Sequence, residues 1–256
     1  MTDEFAGPGQ PLEQTAIDAV LKLTGAAAPA LWSVLSVETA ACGFLPDRRP
    51  DMLFERHVFS RLTGGRFDHT DPDVSAPTPG GYGHGGAHQY ERLHAALTLD
   101  RTAALKSASW GLGQIMGGNF EAAGYKDVEA MVADFVKSEN AQLLGVARFL
   151  VFQKIAPALA QTNWPRFARL YNGPNYAANR YDTRLANAFT HYSAVGAPDL
   201  QVRTAQMMLN YRGSRLSVDG VMGSATRSAL VAFQSAESLP ASGEVDDATL
   251  AALAAS

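Results

Sequence analysis

Apolar residues recur with helical spacing along most of the chain. Residues 11–24 carry one continuous apolar face and are followed by Gly25, a typical helix C-terminal signal. The same spacing predicts further helices over residues 29–41, 127–138, 141–159 and 175–192. Strand signals are few: residues 52–59 are ambiguous, and we expect any β-hairpin to lie within residues 62–90. The pattern therefore predicts a mainly α fold.

Two shifts in composition divide the chain. Residues 70–88 hold so many Gly and Pro residues that no regular helix is expected, which predicts a long surface loop. Residues 193–198 are small and predict a linker between a domain of residues 1–195 and one of residues 196–256. The second unit has its own helical periodicity, but its core is small and neither disulfide nor metal supports it. We therefore expect it to be braced against the first.

Composition and charge exclude several classes of protein. Apolar residues make up 46% and charged residues 18% of the 256 positions, as in a globular protein with a buried core. The formal charge of −4 does not suit a protein held to nucleic acid by phosphate neutralisation. Cys42 is the single cysteine, so an intramolecular disulfide and a multi-cysteine zinc site are excluded.

The first residues and the apolar stretches of the chain indicate where in the cell the protein is expected. The longest apolar stretches are too short to cross a bilayer, so no stable membrane association is expected. The first five residues include two acids and no base, unlike a secretory signal peptide. We therefore expect synthesis in the cytoplasm of the host cell and action at a later site after release.

A carboxylate interrupts the apolar face of the second predicted helix. Leu31, Val34 and Leu35 recur at i, i+3 and i+4, and the next position on that face is Glu38. Burial raises the pKa of a carboxyl group, so Glu38 would keep a proton near neutral pH, as a general acid must. Gly43 follows and leaves Glu38 near an open helix end. The alternative is a half-buried glutamate paired with an arginine.

Two turns carry further polar and aromatic groups. The first surrounds Trp110 and Gln114 with glycines, which let a backbone approach a ligand closely while the indole and the amide contact it. The second offers the hydroxyl of Tyr171 and the amide of Asn172 at adjacent positions. Taken singly, each turn would also fit a structural role.

Together and in this order, these features resemble lysozyme-like glycan-cleaving enzymes, which include lytic transglycosylases and goose-type lysozymes. The chain is most similar to the N-acetylmuramidase domain of phage endolysins over about residues 12–192. The segments that carry this resemblance are 37–40 (Val-Glu-Thr-Ala), 43–46, 53–59 (Leu-Phe-Glu-Arg-His-Val-Phe), 107–117, 167–174 and 179–182. The fold implied is a lysozyme-like catalytic domain with a small β-hairpin.

The C-terminal unit carries a second resemblance. It is similar to the small three-helix peptidoglycan-binding domain at residues 202–209, 219–223, 229–234 and 243–246. Met222 stands where that family has an aromatic residue. The resemblance implies a module that anchors the protein to the cell wall.

The resemblance implies a peptidoglycan hydrolase that cleaves the β-1,4 bond between N-acetylmuramic acid and N-acetylglucosamine. Glu38 would protonate the leaving oxygen, and Trp110, Gln114, Tyr171 and Asn172 would line the sugar cleft. The implied partner is bacterial peptidoglycan, in the periplasm or the cell wall. No metal or other cofactor is implied, and a monomer is expected.

The second carboxylate of such a site is open. The candidates are Asp47, Asp51, Glu55 and Glu91. We favour Glu55, within the run Phe-Glu-Arg-His, although an ion pair with Arg56 is an equal interpretation. Enzymes of this kind that use one glutamate need no second carboxylate.

Other functions also remain open. A lytic transglycosylase would cleave the same bond with the same glutamate, and an antibacterial muramidase toxin would use the same chemistry in another setting. A zinc amidase or peptidase would use the group His84, His88, Glu91 and His94, whose spacing suits a zinc site poorly. A non-catalytic wall-binding protein would need no Glu38. A nucleophilic role for Cys42 is disfavoured at a helix C-terminus, where the dipole opposes a thiolate.

Overall fold

The computed structural model describes residues 4–39 and 42–255. Its α-helices are α1 Gln14–Thr24, α2 Ala28–Thr39, α3 Arg56–Thr63, α4 Ala87–Leu99, α5 Arg101–Lys106, α6 Val128–Phe135, α7 Glu139–Phe152, α8 Ala156–Ala160, α9 Trp164–Tyr171, α10 Tyr181–Val195, α11 Leu200–Asn210, α12 Ser224–Ala236 and α13 Asp247–Ala254. The strands are β1 Met52–Phe54, β2 Ala108–Trp110 and β3 Ile115–Met116. Short 3-10 helices cover Gly111–Gly113, Gly117–Asn119 and Pro174–Asn179. The predicted mainly α fold is confirmed.

Helix boundaries follow local backbone signals. Gly25 ends α1 in the left-handed conformation, at φ 69°, as predicted. The single helix predicted over 141–159 is wrong, because Lys154 adopts φ 59° between α7 and α8 and Pro157 lies in the first turn of α8. The helix predicted over 175–192 begins only at α10, because Arg180 adopts φ 48°.

The three strands form one antiparallel sheet in the order β1-β2-β3. Met52 pairs with Trp110, and Trp110 pairs with Ile115 on its other side. The hairpin expected within residues 62–90 is wrong: the structure describes no strand there. The hairpin is formed by β2 and β3, where Gly111 at φ 66° and Gln114 at φ 49° provide the turn.

The glycine-rich segment before α4 is a long loop, as predicted, and no α-helix or strand occurs between residues 64 and 86. The buried side chain of Arg92 in α4 holds the loop in place. Its guanidinium donates to the carbonyl oxygens of Asp73 at 2.7 Å and Tyr82 at 3.1 Å. These bonds pair two partly buried backbone acceptors of the loop with one side chain of α4.

Helix packing in the first unit centres on α2 and α1. α2 packs on α10, and α1 packs on α7. Leu31, Trp32 and Leu35 of α2 are at most 1% exposed and lie in one cluster with residues of α1 and α7. Fully burying side chains of this size contributes about 1.5–3 kcal/mol each. In the described chain no single helix is long and apolar enough to cross a membrane; α1 and α2 reach that length only jointly, across a 108° bend.

The C-terminal helices α11–α13 enclose a separate small core. Two buried glutamines play equivalent parts in it. Gln206 donates to the hydroxyl of Thr226 at 3.1 Å and accepts from the amide of Gly220 at 2.9 Å. Gln234 makes the same pair of bonds with the hydroxyl of Thr249 at 3.0 Å and with a glycine amide at 2.8 Å. The second half of this unit therefore repeats the first.

The two units are packed together, so the expected bracing is confirmed. Phe44 lies in an apolar cluster with Met207 and Val218 of the C-terminal unit. Arg203 of α11 forms a buried ion pair with Glu139 of α7, with nitrogen–oxygen distances of 2.6 Å. α10 ends at Val195, next to the predicted domain boundary between residues 195 and 196, and the division itself stays a prediction.

Candidate active site

Glu38 lies at the end of the apolar face of α2. It is the penultimate residue of the helix, and its side chain is half-buried. The next residue, Thr39, donates from its hydroxyl to the carbonyl of Leu112 at 3.0 Å, which fixes the helix end against the glycine-rich turn. The predicted position of Glu38 at a helix end is confirmed, and residues 40 and 41 lie outside the described chain.

A tyrosine from a distant part of the chain contacts this carboxyl group. The hydroxyl of Tyr181 donates a hydrogen bond to Oε1 of Glu38. Tyr181 is 3% exposed at the start of α10, the helix that packs on α2. Arg184, one turn further along α10, lies close enough to attract the carboxylate, and its guanidinium donates to the carbonyl of Val37 at 3.0 Å.

Burial raises the pKa of Glu38 to about 7. The hydrogen bond from Tyr181 and the positive charge of Arg184 lower it, but the loss of hydration is the larger effect. The carboxyl group therefore keeps a proton at neutral pH far more readily than an exposed glutamate does. Such a group can give up a proton to a substrate and regain it from water.

Tyr171 lies near the same carboxyl group. Its hydroxyl donates to the carbonyl of Gly113 at 2.5 Å, and its ring stacks on Phe167 at 5.1 Å between centroids. Burial and the negative charge of Glu38 raise the pKa of the Tyr171 hydroxyl well above its usual value. The neighbouring Asn172 is exposed at the C-terminal end of α9. The structure thus brings Tyr171 to Glu38 and presents Asn172 to solvent.

Gln114 has its amide group fully engaged within the hairpin. Its oxygen accepts from the hydroxyl of Ser109 at 2.7 Å. Its nitrogen donates to the carbonyls of Gly111 at 3.0 Å and Asp51 at 3.2 Å. The side chain therefore ties the turn to the residue before β1, and its expected role in lining the sugar cleft stays a prediction.

Trp110 does not line a cleft, contrary to the sequence-based expectation. Its side chain is 0% exposed, and its indole nitrogen donates to the carbonyl of Leu105 at 3.1 Å. The ring packs against Phe5 and Tyr90 in the core. Trp110 lies in the central strand of the sheet, between Met52 and Ile115, and Tyr90 of α4 packs on its ring.

Glu55 belongs to a second group of polar residues. It precedes α3 and lines a cleft of about 570 Å³. Its Oε2 lies 3.1 Å from Nδ1 of His57, and Tyr82 contacts the same carboxylate. In the described chain no hydrogen bond or ion pair joins Glu55 to Glu38 or to Arg56. The predicted alternative of an ion pair with Arg56 is thus replaced by a contact with His57.

The histidine-rich segment does not converge on one point. His88 contacts Glu91 at 3.1 Å, whereas His94 packs against Phe5 on the core side of α4. Among the described residues, no three His, Cys, Asp or Glu side chains are placed to hold a metal ion. The zinc amidase alternative therefore has no ligand set in this part of the molecule.

Cys42 is suited to packing. Its thiol donates to the carbonyl of Phe44 at 3.3 Å, and burial raises its pKa to about 12. It lies beside the apolar cluster between the two units. A thiol with so high a pKa is a poor nucleophile at neutral pH.

Known proteins share both parts of this architecture. The family model of N-acetylmuramidase matches residues 27–193, and that of a peptidoglycan binding domain matches residues 198–253. A similar solved structure is the crystal structure of the Burkholderia AP3 phage endolysin. It is 36% identical in sequence with a TM-score of 0.65, and the match covers 76% of this chain and 74% of that one. No curated protein matches the chain.

Proposed function

This chain belongs to the N-acetylmuramidase family, and from that membership we propose that Glu38 is the general acid of its glycan-cleaving reaction. The protein is a peptidoglycan hydrolase with a peptidoglycan-binding domain. The bond that we assign to it is the β-1,4 linkage from N-acetylmuramic acid to N-acetylglucosamine. The raised pKa of a half-buried carboxyl group at the end of an apolar helix carries this assignment.

Cleavage of a glycosidic bond requires a proton on the leaving oxygen as positive charge develops on the sugar ring. Oε1 of Glu38 accepts from Tyr181, so Oε2 is the oxygen that carries the proton to the substrate. After the transfer, the Tyr181 hydroxyl and the positive charge of Arg184 stabilise the carboxylate that remains. Desolvation thus favours the protonated carboxyl group before the transfer, and Tyr181 and Arg184 favour the carboxylate after it.

Glu55 is the proposed second carboxylate. Its place in the wall of a cleft and its contact with His57 suit a residue that orients and activates water. We assign contacts with the sugar to Tyr171 and Asn172. Gln114 is assigned the role of holding the turn between β2 and β3 in shape.

The similarity to a phage endolysin supports a role in lysis of the host cell. The protein acts on cell-wall peptidoglycan. We propose that it is made in the host cytoplasm, works as a monomer and is held at the wall by its C-terminal domain. Holding the enzyme there raises the effective concentration of substrate at Glu38.

The decisive experiment is a digest of purified peptidoglycan by the wild type and by Glu38→Gln and Glu55→Gln variants. New reducing ends and product masses are both measured. We expect reducing muramic acid ends from the wild type and none above background from Glu38→Gln. Anhydro-muramyl products would make the enzyme a lytic transglycosylase. Equal activity of Glu38→Gln would overturn the assignment, and full activity of Glu55→Gln would leave a mechanism with one glutamate.

A further inference from the structure

The cleft beside Glu55 is lined by more basic than acidic side chains. It lies between α3 and the segment that follows β3. Arg61 of α3 and Lys106 of α5 face it, together with His57 and the amide of Asn119. Among the described residues that line it, Glu55 is the one acidic side chain, and its carboxylate is in contact with His57.

Arg61 and Lys106 have no acidic partner among the described residues. Some exposed cations elsewhere are paired, as Arg101 is with Glu4 and Glu129, so what distinguishes Arg61 and Lys106 is that both line one cleft. The whole chain carries a formal charge of −4. Two unpaired cations that share one cleft therefore form a local positive site on an acidic protein, and such a site attracts anionic ligands.

The hairpin of β2 and β3 connects the cleft with the surroundings of the proposed catalytic carboxyl group. Met116 of β3 lies in its wall, and Gly113, three residues earlier, accepts the hydroxyl of Tyr171 beside Glu38. Three residues span at most about 11 Å. An extended peptide of four residues spans at most about 14 Å. A stem peptide on a sugar at Glu38 therefore extends further than the hairpin segment that separates Gly113 from the cleft wall.

We propose that this cationic cleft binds the carboxylates of the peptidoglycan stem peptide. In peptidoglycan each muramic acid carries a short peptide with free carboxylates on its lactyl group, whereas the glycan backbone around it is neutral. Arg61 and Lys106 supply cationic donors, and charge-assisted hydrogen bonds to carboxylates are the strong class. The inference rests on the proposed function, because the reach is measured from a sugar bound at Glu38.

The test compares two forms of one substrate. Cell-wall sacculi free of phosphate-containing polymers are used as isolated, and also after carbodiimide and ammonia have converted their carboxylates to neutral amides. Initial rates of reducing-end formation are measured against wall concentration for the wild type and for Arg61→Gln/Lys106→Gln. A second double variant, Lys22→Gln/Arg166→Gln, removes two exposed cations that lie in no part of this cleft. Arg61→Lys and Lys106→Arg test rescue by a retained charge.

We expect the Arg61→Gln/Lys106→Gln enzyme to need about tenfold more native wall for half-maximal rate, with a similar maximal rate. On amidated wall it should match the wild type, and the charge-retaining and control variants should behave as the wild type on both substrates. An equal loss on both substrates, or a wild type indifferent to amidation, would overturn the proposal. Glu38→Gln is measured in the same assay. Activity in that variant would reject the proposed general acid, whereas the comparison of native with amidated wall would still test the cationic cleft.

Discussion

At the scale of single residues, the contact between Tyr181 and Glu38 sets the pH range of the enzyme. The hydroxyl favours the ionised carboxylate, so its removal raises the pKa of Glu38 above about 7. For Tyr181→Phe we expect the alkaline limb of the kcat/KM profile to move upward by about one pH unit, because a hydrogen bond to a charged group contributes about 1.5–3 kcal/mol. Tyr125→Phe, which loses a hydroxyl bond to Asp134, is the matched control. An alkaline limb that stays in place in Tyr181→Phe would show that another group titrates.

The same carboxyl group lowers the stability of the fold at high pH. Its folded-state pKa of about 7 lies above the unfolded value of 4.5, so the folded protein binds the extra proton between these pH values. The contribution of this group to the free energy of unfolding is therefore fully present below pH 4.5. It is lost as the pH rises towards and through 7, by about 3 kcal/mol in total.

Glu38→Gln keeps the shape and the acceptor oxygen for Tyr181 but removes the charge. We expect this inactive variant to unfold at a higher temperature than the wild type at pH 8 and at nearly the same temperature at pH 4.5. Thermal unfolding at the two pH values measures the difference. Glu121→Gln, at an exposed position, serves as control and should show no such pH-dependent gain. A wild type and a Glu38→Gln variant with parallel stability curves would contradict the raised pKa.

At the scale of elements, the hairpin depends on one glutamine. Gln114→Ala removes three hydrogen bonds of the turn and leaves the carbonyl of Asp51 without this donor. We expect a loss of about 1–3 kcal/mol in the free energy of unfolding, together with a lower kcat, because the turn carries the carbonyl that holds Tyr171. Chemical denaturation and steady-state kinetics test this. A raised KM with unchanged stability would instead indicate direct contact between Gln114 and the sugar.

The elements also show which parts of the fold could be predicted from sequence. Helix α1 and its end at Gly25 follow from local periodicity and a local turn signal. The sheet does not, because β1 lies more than fifty residues before β2 and each strand has only two or three residues. Local patterns carry no information about so distant a pairing.

The candidate site likewise contains residues that could be predicted from sequence and residues that could not. The position of Glu38 is a local feature of an apolar helix and could be predicted. Its partner Tyr181 could not, because the contact joins residues 143 positions apart. Trp110 was misplaced for a related reason: a tryptophan between glycines suits both a cleft and a core, and only its central place in the sheet decides between them.

At the scale of the whole molecule, a buried carboxylate connects the two domains. Glu139 accepts from the backbone amides of Leu12 at 2.9 Å and Gly43 at 2.8 Å and from both terminal nitrogens of Arg203 at 2.6 Å. Gly43 lies shortly after Glu38 in the chain. The C-terminal domain thus supplies the cation, Arg203, that balances the charge of Glu139, the residue that holds the backbone at Gly43. A flexible tether would make no such contact.

Removal of that cation should therefore weaken the catalytic domain as well as the domain contact. Arg203→Met leaves Glu139 buried without its counter-charge, and we expect a loss of about 3–5 kcal/mol in the free energy of unfolding. Cleavage of short soluble glycan fragments, which need no anchoring, should fall too. Glu139→Gln/Arg203→Met removes both charges and should recover part of the stability. Arg227→Met breaks the exposed pair with Glu244 in the same domain and should cost less than about 1 kcal/mol. If Arg203→Met proved as mild as Arg227→Met and cleaved soluble fragments at the full rate, the C-terminal domain would act only as a tether.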